Sequence, residues 1–151
     1  MKRPLLISIA AGIRATDLQR WLGGSCALVR CMPNTPALVQ SGATALWRNE
    51  HVSDEQKDLA ESILRAVGLA LWVDSEDLMD SVTALSGSGP AYFLLVMEAL
   101  QEAGQAMGLP EETAKLLSLQ TAFGAAKMAL ESSEDAAVLR QRVTSPGGTT
   151  E

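Results

Sequence analysis

Apolar positions along this chain follow two rhythms, and the change between them falls near residue 75. In the first part, Leu5–Ala10 (LLISIA) is an unbroken apolar run held between Pro4 and Gly12. Such a run predicts a strand buried on both faces, as in parallel sheets. Thr16-Asp17-Leu18-Gln19 has the spacing of a capping box and predicts a helix that stops at Gly23-Gly24. Ala27–Cys31 (ALVRC) predicts a second strand, and the Pro-rich turn Met32-Pro33-Asn34-Thr35-Pro36 follows it directly. Ala43–Trp47 (ATALW) and Ala70–Val73 (ALWV) predict two more strands. Between these, Ser53-Asp54-Glu55-Gln56 is a second capping box, opening a helix to about Ala66 before Gly68. Strand and helix in alternation predict an α/β layer architecture.

After Val73 the strand signals stop. Ser86-Gly87-Ser88-Gly89-Pro90 reads as a flexible hinge, with Pro90 suited to a first helical turn. Helical spacing then runs to Met107, before Gly108. Pro110-Glu111-Glu112 starts another helix, with its acids where the macrodipole favours them. That helix can continue to about Glu131, and Ala136–Val143 supplies a short third one. The expected fold class is α/β followed by all-α, with the α/β part over residues 1–75 and the helical part over 76–151.

No G-x-G-x-x-G follows a strand in this sequence. A doubly wound nucleotide-binding domain normally opens with that turn, where a helix N-terminus holds the pyrophosphate. The α/β part therefore reads as the second half of a Rossmann-type domain. Leu5–Ala10 would then lack flanking strands on one side and offer an edge for association.

Composition changes this picture little. Aromatic residues are only 4% of the chain, so the core must be built from Ala, Leu, Val and Met, which favours closely packed helices. Small residues recur in the helical part, at Ala99, Ala103 and Gly104 and again at Ala122, Gly124 and Ala125. They fit either a compact monomeric bundle or helices that need a partner subunit to bury their surface. The net charge of −6 is concentrated after residue 75, where 4 Lys/Arg face 11 Asp/Glu. That balance argues against nucleic acid, whose binding rests on neutralising phosphates. Cys26, Cys31 and the lone His51 cannot complete a zinc site, so no metal is expected. Reduced structural thiols point to a cytoplasmic, reducing compartment. The basic start Met1-Lys2-Arg3-Pro4 precedes an apolar run too short for a signal peptide, and the charge-free stretches are broken by Gly and Pro, so no membrane span is expected.

Four stretches could carry chemistry. Thr144-Ser145-Pro146-Gly147-Gly148-Thr149-Thr150 could direct backbone N–H groups and hydroxyls into one concavity that grips a carboxylate or phosphate. It equally fits a plain Ser/Thr/Gly-rich loop. Met32-Pro33-Asn34-Thr35-Pro36 lies at the carboxyl end of a strand, where open α/β sheets bind ligands. Its plain reading is a rigid turn, with Asn34 bonded to its own backbone. Ala10-Ala11-Gly12 is small enough for a flat ligand to approach the backbone, or is simply a tight turn. Glu76, just past the last strand, could accept a bond from a cationic or imine ligand, or be a solvated first-turn residue.

Taken in order, ISIAAGI, RCMPNTP, SGATALW, LMDSVTALSGSGPAY and RVTSPGGTTE resemble the pyrroline-5-carboxylate reductase family along essentially the whole chain. The resemblance implies a Rossmann-type domain, here represented by its C-terminal half, and part of a helical dimerisation domain that interlocks with a second subunit. It implies an NAD(P)H-dependent hydride transfer to the C=N of 1-pyrroline-5-carboxylate, giving L-proline, with NADPH preferred over NADH as the expected cofactor. Carried over residue by residue, Ile9, Ala10, Ala11, Met32, Pro33, Asn34, Pro90 and Arg142 would line the cofactor. Glu76, Ser145, Gly147, Gly148, Thr149 and Thr150 would hold the substrate, with Thr150 as the proton or hydrogen-bond donor at the imine nitrogen. Ser132-Ser133-Glu134-Asp135-Ala136 departs from the family pattern by lacking a proline, which leaves that loop's acidic contact unassigned. With the Gly-rich fingerprint missing, the chain alone is expected to be an inactive dimerisation and substrate-site piece. A β-hydroxyacid dehydrogenase is the rival reading, but that family's catalytic Lys has no counterpart beyond Lys115 and Lys127, which lie in runs without its motif.

Overall fold

The computed structural model describes residues 4–150; Met1–Arg3, which hold the basic start considered above, and Glu151 lie outside the described residues. The chain divides into two compact units, one ending at Phe93 and the other beginning at Leu94.

The first unit is a four-stranded sheet with helices. Its elements are β1 (Leu5–Ser8), α1 (Ala15–Trp21), β2 (Ala27–Met32), a 3-10 turn (Thr35–Val39), β3 (Gly42–Arg48), α2 (Asp54–Arg65), β4 (Gly68–Trp72) and α3 (Leu78–Val82). A π-helical turn (Thr83–Gly87) follows, and α4 (Gly89–Ala106) begins in this unit. The strands lie in sequence order, β1-β2-β3-β4.

The sheet is mixed, where the apolar run at Leu5–Ala10 suggested a parallel one. β1 and β2 are parallel, as are β3 and β4, but β2 and β3 are antiparallel. The reason is the length of the connections. α1 and α2 provide the crossovers that parallel pairing requires, whereas only residues 33–41 join β2 to β3. A parallel return needs a dozen or more residues, so the short link turns the chain back. β1 is an edge strand, as the lack of flanking strands on one side implied, but it is half-buried rather than buried on both faces.

Side chains alternate across the sheet with period two. On one face Ala27, Val29, Cys31, Leu46 and Ala70 form a core with Val52, Ala60 and Leu64. Burial pushes the Cys31 thiol up to about 12, so it behaves as a small apolar residue rather than a nucleophile. On the other face Leu28 is fully buried and Arg30 nearly so, a charge that must find a partner. α2 opens as expected: the Ser53 hydroxyl accepts from the Gln56 N–H at 3.3 Å and the Gln56 side chain accepts from the Ser53 N–H at 3.1 Å. At its other end Glu61 accepts from the Trp72 indole at 2.6 Å and from Arg65, which hold its carboxyl below the usual range and tie α2 to β4.

The box expected at Thr16 does not form. α1 starts two residues earlier, its N-cap Arg14 makes no side-chain cap, and the orphan N–H of Ala15 goes to Glu76 Oε1 at 2.6 Å. A carboxylate from a distant loop does the capping, which satisfies the donor and suits the dipole at that end.

Thr44 is buried in β3, and its hydroxyl alone among the buried side-chain polar atoms of the described residues has no hydrogen-bond partner. A buried hydroxyl without a bond carries its desolvation penalty uncompensated. Thr44→Val, nearly the same shape without that oxygen, should stabilise the chain by about 1 kcal/mol, read as a raised urea midpoint at unchanged slope. A lowered midpoint would show that the hydroxyl is satisfied after all.

The second unit holds the remainder of α4, then α5 (Glu111–Glu131) and α6 (Ala136–Arg142). Gly104 lets α4 and α5 approach closely: a Cβ there would lie 3.1 Å from Ala114 Cβ. Ala114 and Ser118 are buried, but Leu95, Leu117 and Phe123 are more than half exposed. Among the described residues no strand follows Trp72, and no helix is long and apolar enough to cross a membrane.

Candidate functional site

The site residues inferred from the sequence fall into two groups, one in each unit. In the first unit they gather at the ends of β1 and β2. Ile9, Ala10 and Ala11 follow Ser8, whose register partner on β2 is Arg30, two residues before Met32. Ile9 is 65% exposed, Ala10 and Ala11 are exposed too, and Gly12 takes a left-handed φ of +74°. Small side chains and that reversal leave the backbone of this turn open to a flat ligand.

Met32, Pro33 and Asn34 are half-buried, and the segment between α3 and α4 meets Met32 and Asn34. Asn34 does not bond to its own backbone, the plain reading of the turn. Its Oδ1 accepts from the Ala43 N–H at 2.8 Å, and its Nδ2 donates to the Ser86 carbonyl at 3.2 Å. Ser86 and Gly87 are therefore not a flexible hinge. They close a π-helical turn that runs straight into α4, with Ser88 N–H bonded to the Thr83 carbonyl at 2.8 Å. Gly87 has a steric role: a Cβ there would lie 2.6 Å from Met32 Cε. Pro90 follows, half-buried, as the second residue of α4.

Glu76 is committed internally. Its Oε1 accepts from Arg30 Nη1 at 2.7 Å as well as from the Ala15 N–H, and the two side chains keep only 6% and 15% of their accessible surface. Nearby Arg14 pairs with Asp77 at 2.8 Å, but that pair is exposed. Reasoning from the sequence missed Arg30, Ser86 and the buried Asn49, whose Oδ1 accepts from the Leu28 N–H at 3.1 Å and whose Nδ2 donates to the Cys26 carbonyl at 2.9 Å. For Arg30 a signal existed: a cation inside the apolar run ALVRC requires a buried partner.

In the second unit Ser145-Pro146-Gly147-Gly148 forms a type II turn, with the Gly148 N–H bonded to the Ser145 carbonyl at 2.9 Å and Gly147 at φ +71°. Gly148's N–H is thus spent on shaping the turn. The Thr150 hydroxyl donates to the Val143 carbonyl at 3.0 Å, folding the end of this segment back on α6. Ser145, Thr149 and Thr150 are exposed. Arg142 pairs with Glu134 at 2.6 Å, so the acidic loop before α6 is fastened to that helix. Lys115 and Lys127 form exposed pairs with Glu112 and Glu131 of their own helix, at 3.8 and 3.7 Å.

The family model described as pyrroline-5-carboxylate reductase dimerisation matches residues 76–151. The chain is 57% identical over 147 residues to a pyrroline-5-carboxylate reductase of Pseudomonas aeruginosa, covering 97% of this chain and 54% of the relative. It is 45% identical to the enzyme of that name from Arabidopsis thaliana over 149 residues, 99% of this chain and 53% of the relative. Among solved structures, a Coxiella burnetii pyrroline-5-carboxylate reductase is 57% identical with a TM-score of 0.91, covering 97% of this chain and 54% of that one. A Plasmodium falciparum pyrroline carboxylate reductase solved with NADP bound is 38% identical with a TM-score of 0.89, covering 97% and 58%. The chain spans about half the length of the curated relatives it matches. With a mixed sheet ending in a bonded Asn34–Ser86 seam, a helical unit closing on a Ser-Pro-Gly-Gly turn, and these likenesses across both, the chain belongs to the pyrroline-5-carboxylate reductase family.

Proposed function

We propose that residues 1–75 are the C-terminal half of a Rossmann-type NAD(P)-binding domain and residues 76–151 a helical dimerisation and substrate domain. Together they serve a reductase that carries a hydride to the C=N carbon of 1-pyrroline-5-carboxylate, giving L-proline. The observation that carries this reading is the bond from Asn34 to Ser86. It joins the two stretches, Met32–Asn34 and the segment leading to Pro90, that the family resemblance assigns to one nicotinamide. The relative solved with NADP bound supports a nicotinamide cofactor, and NADPH is our choice over NADH.

The residues present fit such a group. Ile9, Ala10 and Ala11 offer an open backbone at the strand end, Met32, Pro33 and Asn34 a half-buried wall, and Pro90 a further half-buried surface; Arg142, which the resemblance also gives to the cofactor, is paired with Glu134. When bound, the nicotinamide supplies the hydride. The chain's own task is to bind the imine acid, orient it and supply a hydrogen bond at its nitrogen. Ser145, Gly147 and Gly148 form the turn that receives the carboxylate, and Thr149 adds a hydroxyl beside it. Thr150 then turns its hydroxyl from the Val143 carbonyl to the ring nitrogen, where basicity grows as the hydride arrives. A donor placed there acts more strongly in the transition state than in the ground state.

We also propose a homo-oligomer through the helical half. Leu95, Leu117 and Phe123 expose 63%, 56% and 62% of their surface, an apolar display that a second copy would cover.

The test is a chimera in which this chain replaces the matching half of the Pseudomonas aeruginosa relative. It should oxidise NADPH or NADH when given 1-pyrroline-5-carboxylate. Within it, Thr150→Val should lower kcat by roughly a hundredfold and leave KM within a few-fold, the pattern of a lost transition-state donor. A folded chimera without turnover would defeat the functional reading. An unchanged kcat would remove Thr150 from the chemistry.

A further inference from the structure

We propose that Asn34 is a positioning residue, which holds the start of α4 in place by filling a carbonyl that Pro90 leaves empty. In a helix the carbonyl of Ser86 would be met by the N–H four residues on, but that residue is Pro90 and has none. The N–H five residues on, of Ala91, goes instead to the Ser88 carbonyl at 3.0 Å. The carboxamide of Asn34 supplies the missing donor at 3.2 Å, with the Ser86 hydroxyl at 3.5 Å beside it. Its oxygen is taken by the Ala43 N–H at 2.8 Å, so both polar ends of Asn34 are engaged within the protein.

The neighbouring contacts have the same sense. The Ser86 hydroxyl reaches the Ala43 carbonyl at 3.5 Å, and Gly87 is bare where Met32 Cε passes. The π-helical turn explains how a proline is admitted at the helix start. An α-helical register would drive its ring against the Ser86 carbonyl, whereas the widened turn lets that carbonyl point out to Asn34. Proline, π turn and asparagine form one device: the first frees an acceptor, the second exposes it, and the third binds it. The functional part of the inference rests on the reading above, in which Met32–Asn34 and Pro90 face one cofactor. Asn34 then acts on that cofactor through the placing of Pro90, rather than by lending its own polar atoms.

The decisive experiment is a double-mutant cycle on folding, in the 151-residue chain without cofactor. Pro90→Ala returns an N–H to the position four residues after Ser86. Asn34→Ala should then lower the folding equilibrium constant of the first unit about tenfold less in the Pro90→Ala background than in the parent. The loss of the Ala43 bond appears in both arms and cancels. Equal losses with and without Pro90 would overturn the proposal. Should Asn34→Ala not fold, Asn34→Asp runs the same cycle, since it keeps the acceptor for Ala43 and replaces the donor with a carboxylate oxygen whose charge enters both arms.

In the chimera, Asn34→Ala should raise the cofactor KM about tenfold or more with a smaller change in kcat, and Pro90→Ala should blunt that rise. A rise in KM that Pro90→Ala leaves untouched would mean that Asn34 touches the cofactor itself. A chimera without turnover alongside a coupled folding cycle would sink the functional reading and leave the Asn34–Ser86 latch standing.

Discussion

Glu76→Ala should cost the first unit about 3–5 kcal/mol, the penalty for leaving one member of a buried ion pair alone. Arg30 keeps only 6% of its side-chain surface and meets Glu76 Oε1 at 2.7 Å. Without the carboxylate, the guanidinium stays under the sheet face with neither water nor counter-charge. The same oxygen caps the Ala15 N–H at 2.6 Å, so the first turn of α1 loses its acceptor as well. The Arg14–Asp77 pair is the internal control. It lies one residue along at a similar distance, 2.8 Å, but its side chains are 56% and 74% exposed. Asp77→Ala should therefore cost less than about 1 kcal/mol. Urea unfolding of both variants reads the contrast, and equal midpoints would refute the burial argument. The outcome also bears on substrate binding. A Glu76 that served only a ligand would be nearly silent in stability without one, whereas a staple between β2 and α1 is not.

The sequence made local structure legible and long-range pairing illegible, and Glu76 shows why. The Ser53–Gln56 box, the end of α4 before Gly108 and the span of α5 all depend on residues a few positions apart; the box and α5 stand where the pattern put them, and α4 ends one residue short of the expected Met107. The cap of α1 depends on a carboxylate 61 residues away, so Thr16 looked like the natural cap and was not. The direction of β3 was readable in principle, since a link over residues 33–41 has no room for a crossover, but apolar runs carry no sign of direction. The Ser86–Pro90 segment misled for a different reason. Gly, Ser and Pro punctuate loops, and the same residues build a π turn whose carbonyl is satisfied from outside the helix. Of the candidate site, the sequence proposed the stretches. Their wiring through Arg30, Ala43 and Ser86 needed coordinates.

The second large effect is expected at Gly68, where alanine should cost more than about 4 kcal/mol and lower the yield of folded chain. Gly68 opens β4 opposite Gly42 of β3, its register partner. Its φ of +144° lies in a region that side chains rarely adopt, which alone costs of order 1–3 kcal/mol. Space forbids the change more strongly. A Cβ would sit 2.1 Å from the Gly42 carbonyl oxygen, 2.5 Å from its nitrogen and 2.7 Å from its carbonyl carbon. All three are backbone atoms of the neighbouring strand, and Gly42 is itself tied down, its N–H bonded to the Val67 carbonyl at 2.9 Å. Relief requires parting β3 from β4 at the point where their pairing starts. Gly87→Ala makes the useful comparison, because its Cβ would lie 2.6 Å from Met32 Cε, the free end of a flexible side chain. Met32 can swing aside, so that substitution should cost no more than about 1–2 kcal/mol and act mainly on the placing of Met32. Circular dichroism and thermal unfolding of the two variants side by side decide the matter. If Gly68→Ala melts within a few degrees of Gly87→Ala, the backbone contact at Gly42 does not hold the strands as described.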